Sequence, residues 1–140
     1  MDDVRERCNA IEECYEFMLA FAAQGLPSDR GSGSGSQLRE FLGRAVKALD
    51  GLADAYATAV KDEGQAPEHY RAFLAVLDRD ASDSIAALEM VQAQPVLSSQ
   101  LIDNLNASIH IRALLTDLFL IDEALKLQRI SDKPATTTTT

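Results

Sequence analysis

The sequence contains few of the residues that build disulfide scaffolds and metal centres. It has two cysteines, two histidines and no tryptophan in 140 residues. Two cysteines cannot form a disulfide framework, and six positions along one helix would separate Cys8 from Cys14 by about 9 Å. We therefore expect free thiols, which suit a reducing, cytoplasmic location.

The motifs of helical metal and cofactor proteins are also missing. Di-iron carboxylate bundles need a glutamate three residues before a histidine, and alanine occupies that position before both His69 and His110. Attached haem needs Cys-x-x-Cys-His, which does not occur. There is no phosphate-binding loop, nucleophile elbow or zinc pattern. The sequence predicts no catalytic residue, cofactor-binding residue or metal ligand, and it favours a protein that is not an enzyme.

No concentrated basic patch and no long apolar run are present. Thirteen basic residues stand against 22 acidic residues, so the net charge of -9 disfavours binding to a nucleic-acid backbone. A membrane-spanning helix needs about 20 successive apolar residues, which no segment provides. The opening Met-Asp-Asp lacks the features of a secretory signal. We expect an acidic, cytoplasmic protein that binds neither nucleic acid nor membranes.

What the sequence does contain is apolar residues at helical spacing. They recur at steps of three and four residues, the period of an amphipathic helix, and no segment alternates like a strand. The first two stripes comprise Val4, Cys8, Ile11, Tyr15, Met18 and Ala22, and Leu38, Leu42, Ala45, Leu49, Leu52, Tyr56 and Ala59. The third comprises Tyr70, Leu74, Leu77, Ala81, Ser84, Leu88 and Val91. A fourth helical segment covers residues 98–128.

Helix-ending residues divide the chain into four helices. Gly25 and Gly64 suit the ends of the first and second helices, and Pro95 separates the third from the fourth. Short connections make neighbouring helices antiparallel. The sequence thus predicts an all-α fold, an up-down-up-down antiparallel four-helix bundle with a long fourth helix. Gly43 and Gly51, inside the predicted second helix, indicate close approach by a neighbouring helix or by a partner.

Residues 31–36 alternate strictly between glycine and serine, which is typical of an engineered flexible linker. Six such residues span about 13 Å, enough to join neighbouring helix ends. The linker either replaces a native loop or joins a peptide ending near Arg30 to a separate domain. We divide the chain into a first helix (1–30), the linker (31–36), helices two to four of the same bundle (37–133) and a tail (134–140) that we expect to be disordered.

The predicted fourth helix is apolar on more than one side. A helix that is apolar over so wide an arc lies at the centre of a fold or meets a second copy. Its polar side is predicted to carry Asp103, Asn106, His110 and Asp117. We expect a C2 homodimer, and the candidate interface residues are Ile111, Leu114, Leu118, Ile121 and Leu125.

Arg112 falls on the apolar side of the same projection, where a charge needs a partner. Folding the third and fourth helices about residues 94–96 places Asp80 level with Arg112, with Ser84 and Ser108 nearby. We predict an ion pair between Asp80 and Arg112 within a polar layer that fixes helix register. The alternative is a mid-bundle pocket for an anion or carboxylate.

Two functions follow from these features. The first is a non-enzymatic adaptor or assembly factor that acts through self-association and binding of a protein partner, and the lack of a catalytic constellation favours it. The second is a bundle that binds a small ligand or an anion at Arg112. A cavity at the polar layer would favour the second function, and a filled layer would favour the first.

Overall fold

The computed structural model describes residues 2–132, and within this range the protein has six α-helices and no strand. The helices are α1 (Asp2–Ala23), α2 (Gly33–Leu49), α3 (Leu52–Asp62), α4 (Arg71–Gln92), α5 (Ser99–Ala107) and α6 (Ile109–Asp132). A 3-10 turn, Pro67–His69, precedes α4. The predicted all-α class is confirmed. The tail at 134–140, for which we predicted disorder, lies outside the described residues.

Two of the predicted helices are each divided in two. The predicted second helix stops at Leu49, and Gly51 begins α3 with a left-handed backbone (φ 80°, ψ 13°) that glycine adopts most readily. The predicted fourth helix is interrupted at Ser108, whose ψ of 145° is extended. The expectation of one long fourth helix is therefore wrong, and Gly51 serves a turn rather than a close helix contact.

The glycine-serine segment forms the start of α2. The side chain of Ser32 accepts a hydrogen bond from the Gly35 amide at 3.0 Å, which caps the helix. Residues 33–36 form its first turn, and Gly35 is buried against the backbone of Asp29. The helix thus begins before residue 37, where we had placed its start.

The six helices enclose a filled apolar core. α1 packs against α2 and α5, whereas α4 packs against α2, α3 and α6. The predicted stripes face this core, with Leu38, Tyr56 and Leu77 fully buried. A void of about 20 Å³ lies between Ile11 and Leu114, which is room for little more than one water molecule. Among the described residues, no helix combines the length and apolar character needed to cross a membrane.

The five side chains that we expected at a dimer interface lie instead in the chain's own core. Buried there are Ile111, Leu114, Leu118, Ile121 and Leu125. The reason is that α6 is apolar on two sides, and the sequence projection did not show which side faces the other helices. An interface between two copies therefore needs the other side of α6.

Candidate functional site

The junction between α5 and α6 is built by two serines. The hydroxyl of Ser108 accepts a hydrogen bond from the Ile111 amide at 3.4 Å, in the manner of a helix N-cap. The fully buried hydroxyl of Ser84, on α4, donates to the main-chain carbonyl of His110 at 3.1 Å. Ser84 and Ser108, both members of the predicted polar layer, thus meet at this bend, and Ser84 fastens it to α4.

A buried carboxyl group on α6, that of Asp117, lies near this junction. Asp117 is 6% exposed, and the half-buried Asp80 lies beside it. Burial, together with the neighbouring Asp80 carboxyl, raises the pKa of Asp117 to about 7. The Oδ2 atom of Asp117 has no hydrogen-bond partner among the described residues.

This carboxyl pair stands where we predicted an ion pair between Asp80 and Arg112. Arg112 is exposed, and none of the acidic residues within 2–132 forms an ion pair with it. The prediction treated residues 98–128 as one straight helix. Because the chain bends at Ser108, the helix that follows takes a new direction, and Asp117 rather than Arg112 faces α4.

Asn106 is a second buried polar group, in the last turn of α5. It is 6% exposed, and neither its side-chain nitrogen nor its oxygen has a hydrogen-bond partner in the described part of the chain. We had placed Asn106, His110 and Asp117 on a solvent-facing side, but of these three only His110 is exposed. A buried amide without hydrogen bonds is destabilising. The end of α5 therefore contains a buried polar side chain that forms no hydrogen bond within the described residues.

An open groove of about 520 Å³ runs along the outer side of the junction. Its lining combines apolar side chains with one cation and one carboxyl group: Ala107, Ile109, Arg112, Ala113, Thr116 and Asp117. Within residues 2–132 no cluster of three or more histidine, cysteine, aspartate or glutamate side chains could hold a metal ion. The groove is continuous with the exposed surface of α6.

A second group of polar contacts links α1, α3 and α6 and runs from the core to the exposed Asp122. The hydroxyl of the fully buried Tyr56 donates to Asp122 Oδ1 at 2.6 Å and lies 3.2 Å from the Cys8 sulfur. Burial raises the pKa of Tyr56 and of Asp122. These contacts link α1, α3 and α6 through a neutral thiol, a neutral hydroxyl and the carboxyl group of Asp122.

The two cysteines are free and buried, and burial raises the pKa of Cys8 to about 11 and of Cys14 to about 12. The thiolate is the reactive form of cysteine. We expect a thiol-specific reagent at about pH 8 to label neither side chain in the folded protein, because almost no thiolate is present. The same reagent applied in denaturant should label both thiols. Rapid labelling of the folded protein would contradict the burial of these side chains.

α6 exposes large apolar side chains on the side opposite its core residues. Ile109 is 74% and Phe119 63% exposed, and Leu120, Leu127 and Ile130 are each more than half exposed. At 3.6 residues per turn these five side chains fall within an arc of about 100°. We call them the outer face of α6. Large exposed apolar patches mark interaction sites, which makes the outer face a candidate.

No known protein family, curated protein or solved structure matches this chain. The functional argument therefore rests on the outer face of α6 and on the polar groups at the α5–α6 junction.

Proposed function

We propose that this protein is a non-enzymatic interaction protein that self-associates through the outer face of α6 to form a C2 homodimer. The observation that carries the proposal is the row of five exposed apolar side chains along one side of this helix. From Ile109 to Ile130 the row is about 32 Å long. When a second copy packs against this row, apolar surface is removed from water, and this is the main favourable contribution to association.

The charges on the outer face favour a second copy in antiparallel orientation. Arg112 and Glu123 are exposed on the same side of α6, eleven residues apart in the sequence. When two copies of α6 run antiparallel about an axis near residue 118, Arg112 of each copy lies opposite Glu123 of the other. The same register brings Leu127 to within one position of the residue opposite Ile109. A parallel arrangement would instead bring like charges together, which is unfavourable.

In this proposal the six helices act as four antiparallel rods, because α2 with α3 and α5 with α6 each form one bent rod. The protein works in the cytoplasm, where its free thiols, Cys8 and Cys14, remain reduced. As an adaptor or assembly factor it binds a further protein partner through surfaces that the dimer leaves open. The proposal includes no catalytic step and no cofactor.

Replacing Leu120 by glutamate tests the proposed interface. We expect the wild-type protein to be a dimer in light scattering coupled to size-exclusion chromatography, and Leu120→Glu to weaken dimerisation at least tenfold, or by about 1.4 kcal/mol. The physical reason is that the substitution buries a charge in the centre of an apolar contact. Met90→Glu is the matched control, since Met90 is an exposed apolar residue on α4. This control should dimerise like the wild type.

The charge pair gives the orientation its own test. Arg112→Glu and Glu123→Arg should each weaken dimerisation, and the double exchange should restore it, because opposite charges again face each other. A wild-type protein that stays monomeric at high concentration contradicts self-association. Dimers that respond equally to Leu120→Glu and Met90→Glu place the interface elsewhere.

The alternative of a ligand pocket at Arg112 has less support. Arg112 lines an open surface groove rather than a chamber inside the fold. The core void beside Leu88 and Leu114 measures about 20 Å³. Small-molecule sites are typically clefts or cavities of about 300–1,000 Å³ that bury most of the surface of the ligand, which an open groove does not. We therefore propose that Arg112 pairs with Glu123 of the second copy rather than with a small ligand.

A further inference from the structure

We propose that a surface groove between α1 and α2 is the docking site for an arginine side chain of a protein partner. This α1–α2 groove has a volume of about 480 Å³. Its lining combines two phenyl rings, two carboxylates, one guanidinium and one methyl group: Glu13, Glu16, Phe17, Ala20, Phe41 and Arg44. The inference rests on the proposed adaptor role, because it specifies the partner of that adaptor. It involves no residue of α6.

Two stacked aromatic rings give the α1–α2 groove its apolar surface. The ring centroids of Phe17 and Phe41 are 4.8 Å apart, with an interplanar angle of 29°. Both side chains are only partly buried, so part of each remains in contact with water. Aromatic surface flanked by charged side chains suits a ligand that combines an apolar or planar body with a charge.

The groove already holds one guanidinium of the protein itself. Arg44 Cζ lies 4.5 Å from the centroid of the Phe41 ring, within the distance at which a cation is attracted to the face of an aromatic ring. Within residues 2–132, no cation lies over the Phe17 ring in this way. Phe17 is therefore the ring of the groove at which a second cation would gain the same attraction.

Two carboxylates on α1 supply negative charge beside Phe17. Glu13 precedes Phe17 by four residues, so the two side chains lie on the same side of the helix, one turn apart. Glu16 also lines the groove. Both glutamates are exposed, and in the described part of the chain neither forms an ion pair. A cation bound here therefore meets one aromatic ring and two carboxylates that have no other counter-charge.

These features favour arginine over other occupants. A guanidinium can stack on a phenyl ring while its N–H groups donate to carboxylates, whereas the lysine ammonium is a compact, more strongly hydrated charge. Two carboxylates against one guanidinium leave the groove with an excess of negative charge, and the net charge of -9 attracts basic partners over a longer range. The same charges repel a phosphate group. The fitting occupant is thus a protein segment that presents an arginine.

The experiment titrates the isotope-labelled full chain with a peptide of repeating Arg-Gly-Gly units and follows the backbone amides by nuclear magnetic resonance. We expect shifts localised to residues 13–20 and 41–44. A matching peptide of Lys-Gly-Gly units should bind more weakly. Phe17→Leu keeps the position apolar but removes the ring, so it should weaken binding of the arginine peptide about threefold.

Charge variants separate the groove from general attraction by an acidic protein. At physiological ionic strength charges are screened beyond about 8 Å, and Glu13→Gln should weaken binding about threefold. Glu89→Gln is the matched control, since it removes the same charge from an exposed position on α4. It should bind like the wild type. Arg44→Gln should strengthen binding because it removes a like charge from the groove, and Arg79→Gln, exposed on α4, should not.

The inference can fail separately from the proposed dimer. Leu120→Glu should bind the peptide like the wild type, and Phe17→Leu should dimerise like the wild type. Equal binding of the arginine peptide by wild type and Phe17→Leu overturns the groove as the site, as do equal effects of Glu13→Gln and Glu89→Gln. Equal affinity for the arginine and lysine peptides overturns the assignment of an arginine. If circular dichroism shows that Phe17→Leu does not fold, the exposed Glu13→Gln and Arg44→Gln decide the question.

Discussion

A Gly35→Ala substitution is expected to destabilise the protein by about 3 kcal/mol or more, which is large for the addition of one methyl group. Gly35 lies in the first turn of α2 and is buried against Asp29. A Cβ atom at this position would lie 2.6 Å from the carbonyl carbon and 2.7 Å from the Cα of Asp29, and closer still to the carbonyl oxygen. Because the obstacle is backbone, α2 or the preceding loop has to move. Chemical denaturation monitored by circular dichroism measures the loss.

Gly33→Ala is the matched control for this prediction. Gly33 lies in the same first turn, but a Cβ atom added there meets nothing within 4 Å. Alanine also favours the helix over glycine by about 1 kcal/mol. We therefore expect this control to be neutral or slightly stabilising. Equal behaviour of the two variants would mean that Gly35 does not pack on Asp29.

Replacing Arg39 by methionine is expected to cost about 3–5 kcal/mol, because it leaves a buried carboxylate without its counter-charge. Arg39 Nε donates to Asp29 Oδ2 at 2.7 Å, and its two Nη atoms donate to the main-chain carbonyls of Gln92 and Gln94. Asp29 Oδ1 accepts from the Leu97 amide at 2.7 Å. The substitution removes a charge that also caps the C-terminal end of α4. Urea denaturation of the variant and the wild type gives the difference.

The ion pair between Arg129 and Glu63 provides the comparison for Arg39→Met. Its atoms are 2.8 Å apart, but its carboxylate is less buried: the Glu63 side chain is 17% exposed, against 7% for Asp29. We expect Arg129→Met to cost less than about 1 kcal/mol. A similar loss in both variants would show that burial of Asp29 adds nothing to the effect of Arg39.

The acid dependence of the Arg39 contribution has a definite sign. Burial acts to raise the pKa of Asp29, but the hydrogen bonds from Arg39 and the Leu97 amide outweigh it and lower the pKa below the ordinary value. This contribution is therefore present above about pH 4 and is lost as the pH falls through the folded-state pKa. Asp117 has the opposite pH dependence. Its pKa is raised in the folded protein, so its contribution to stability is lost as the pH rises. Together, Asp29 and Asp117 favour a maximum in the free energy of unfolding between acidic and neutral pH.

The helical periodicity of the sequence was sufficient to find the core of most helices. Ile11, Leu42 and Leu88 were placed on apolar stripes, and all are buried. This succeeds because the apolar face of a helix repeats every three to four residues, whatever the helix packs against. The same local rule located the helix ends near Gly25, Gly64 and Pro95.

The same reasoning failed where two distant segments meet. Nothing local in the glycine-serine segment distinguishes a flexible linker from the start of a helix. The contact that identifies a helix start is between Gly35 and the backbone of Asp29. The bend at Ser108 likewise depends on a residue of another helix. The Ser84 hydroxyl, on α4, donates a hydrogen bond to the His110 carbonyl of α6. Once the chain bends there, the direction of every later side chain changes, so Asp117 is buried and Arg112 is exposed.

For this protein, the sequence by itself determined that the chain forms amphipathic helices with an apolar core, because that pattern is set by residues a few positions apart. It also indicated that α6 is apolar on two sides. Tertiary structure alone decided which of those sides is exposed, which carboxyls meet and where glycine is indispensable. The physical reason is that helix packing fixes these contacts between residues far apart in the chain, and their partners leave no periodic trace in the sequence.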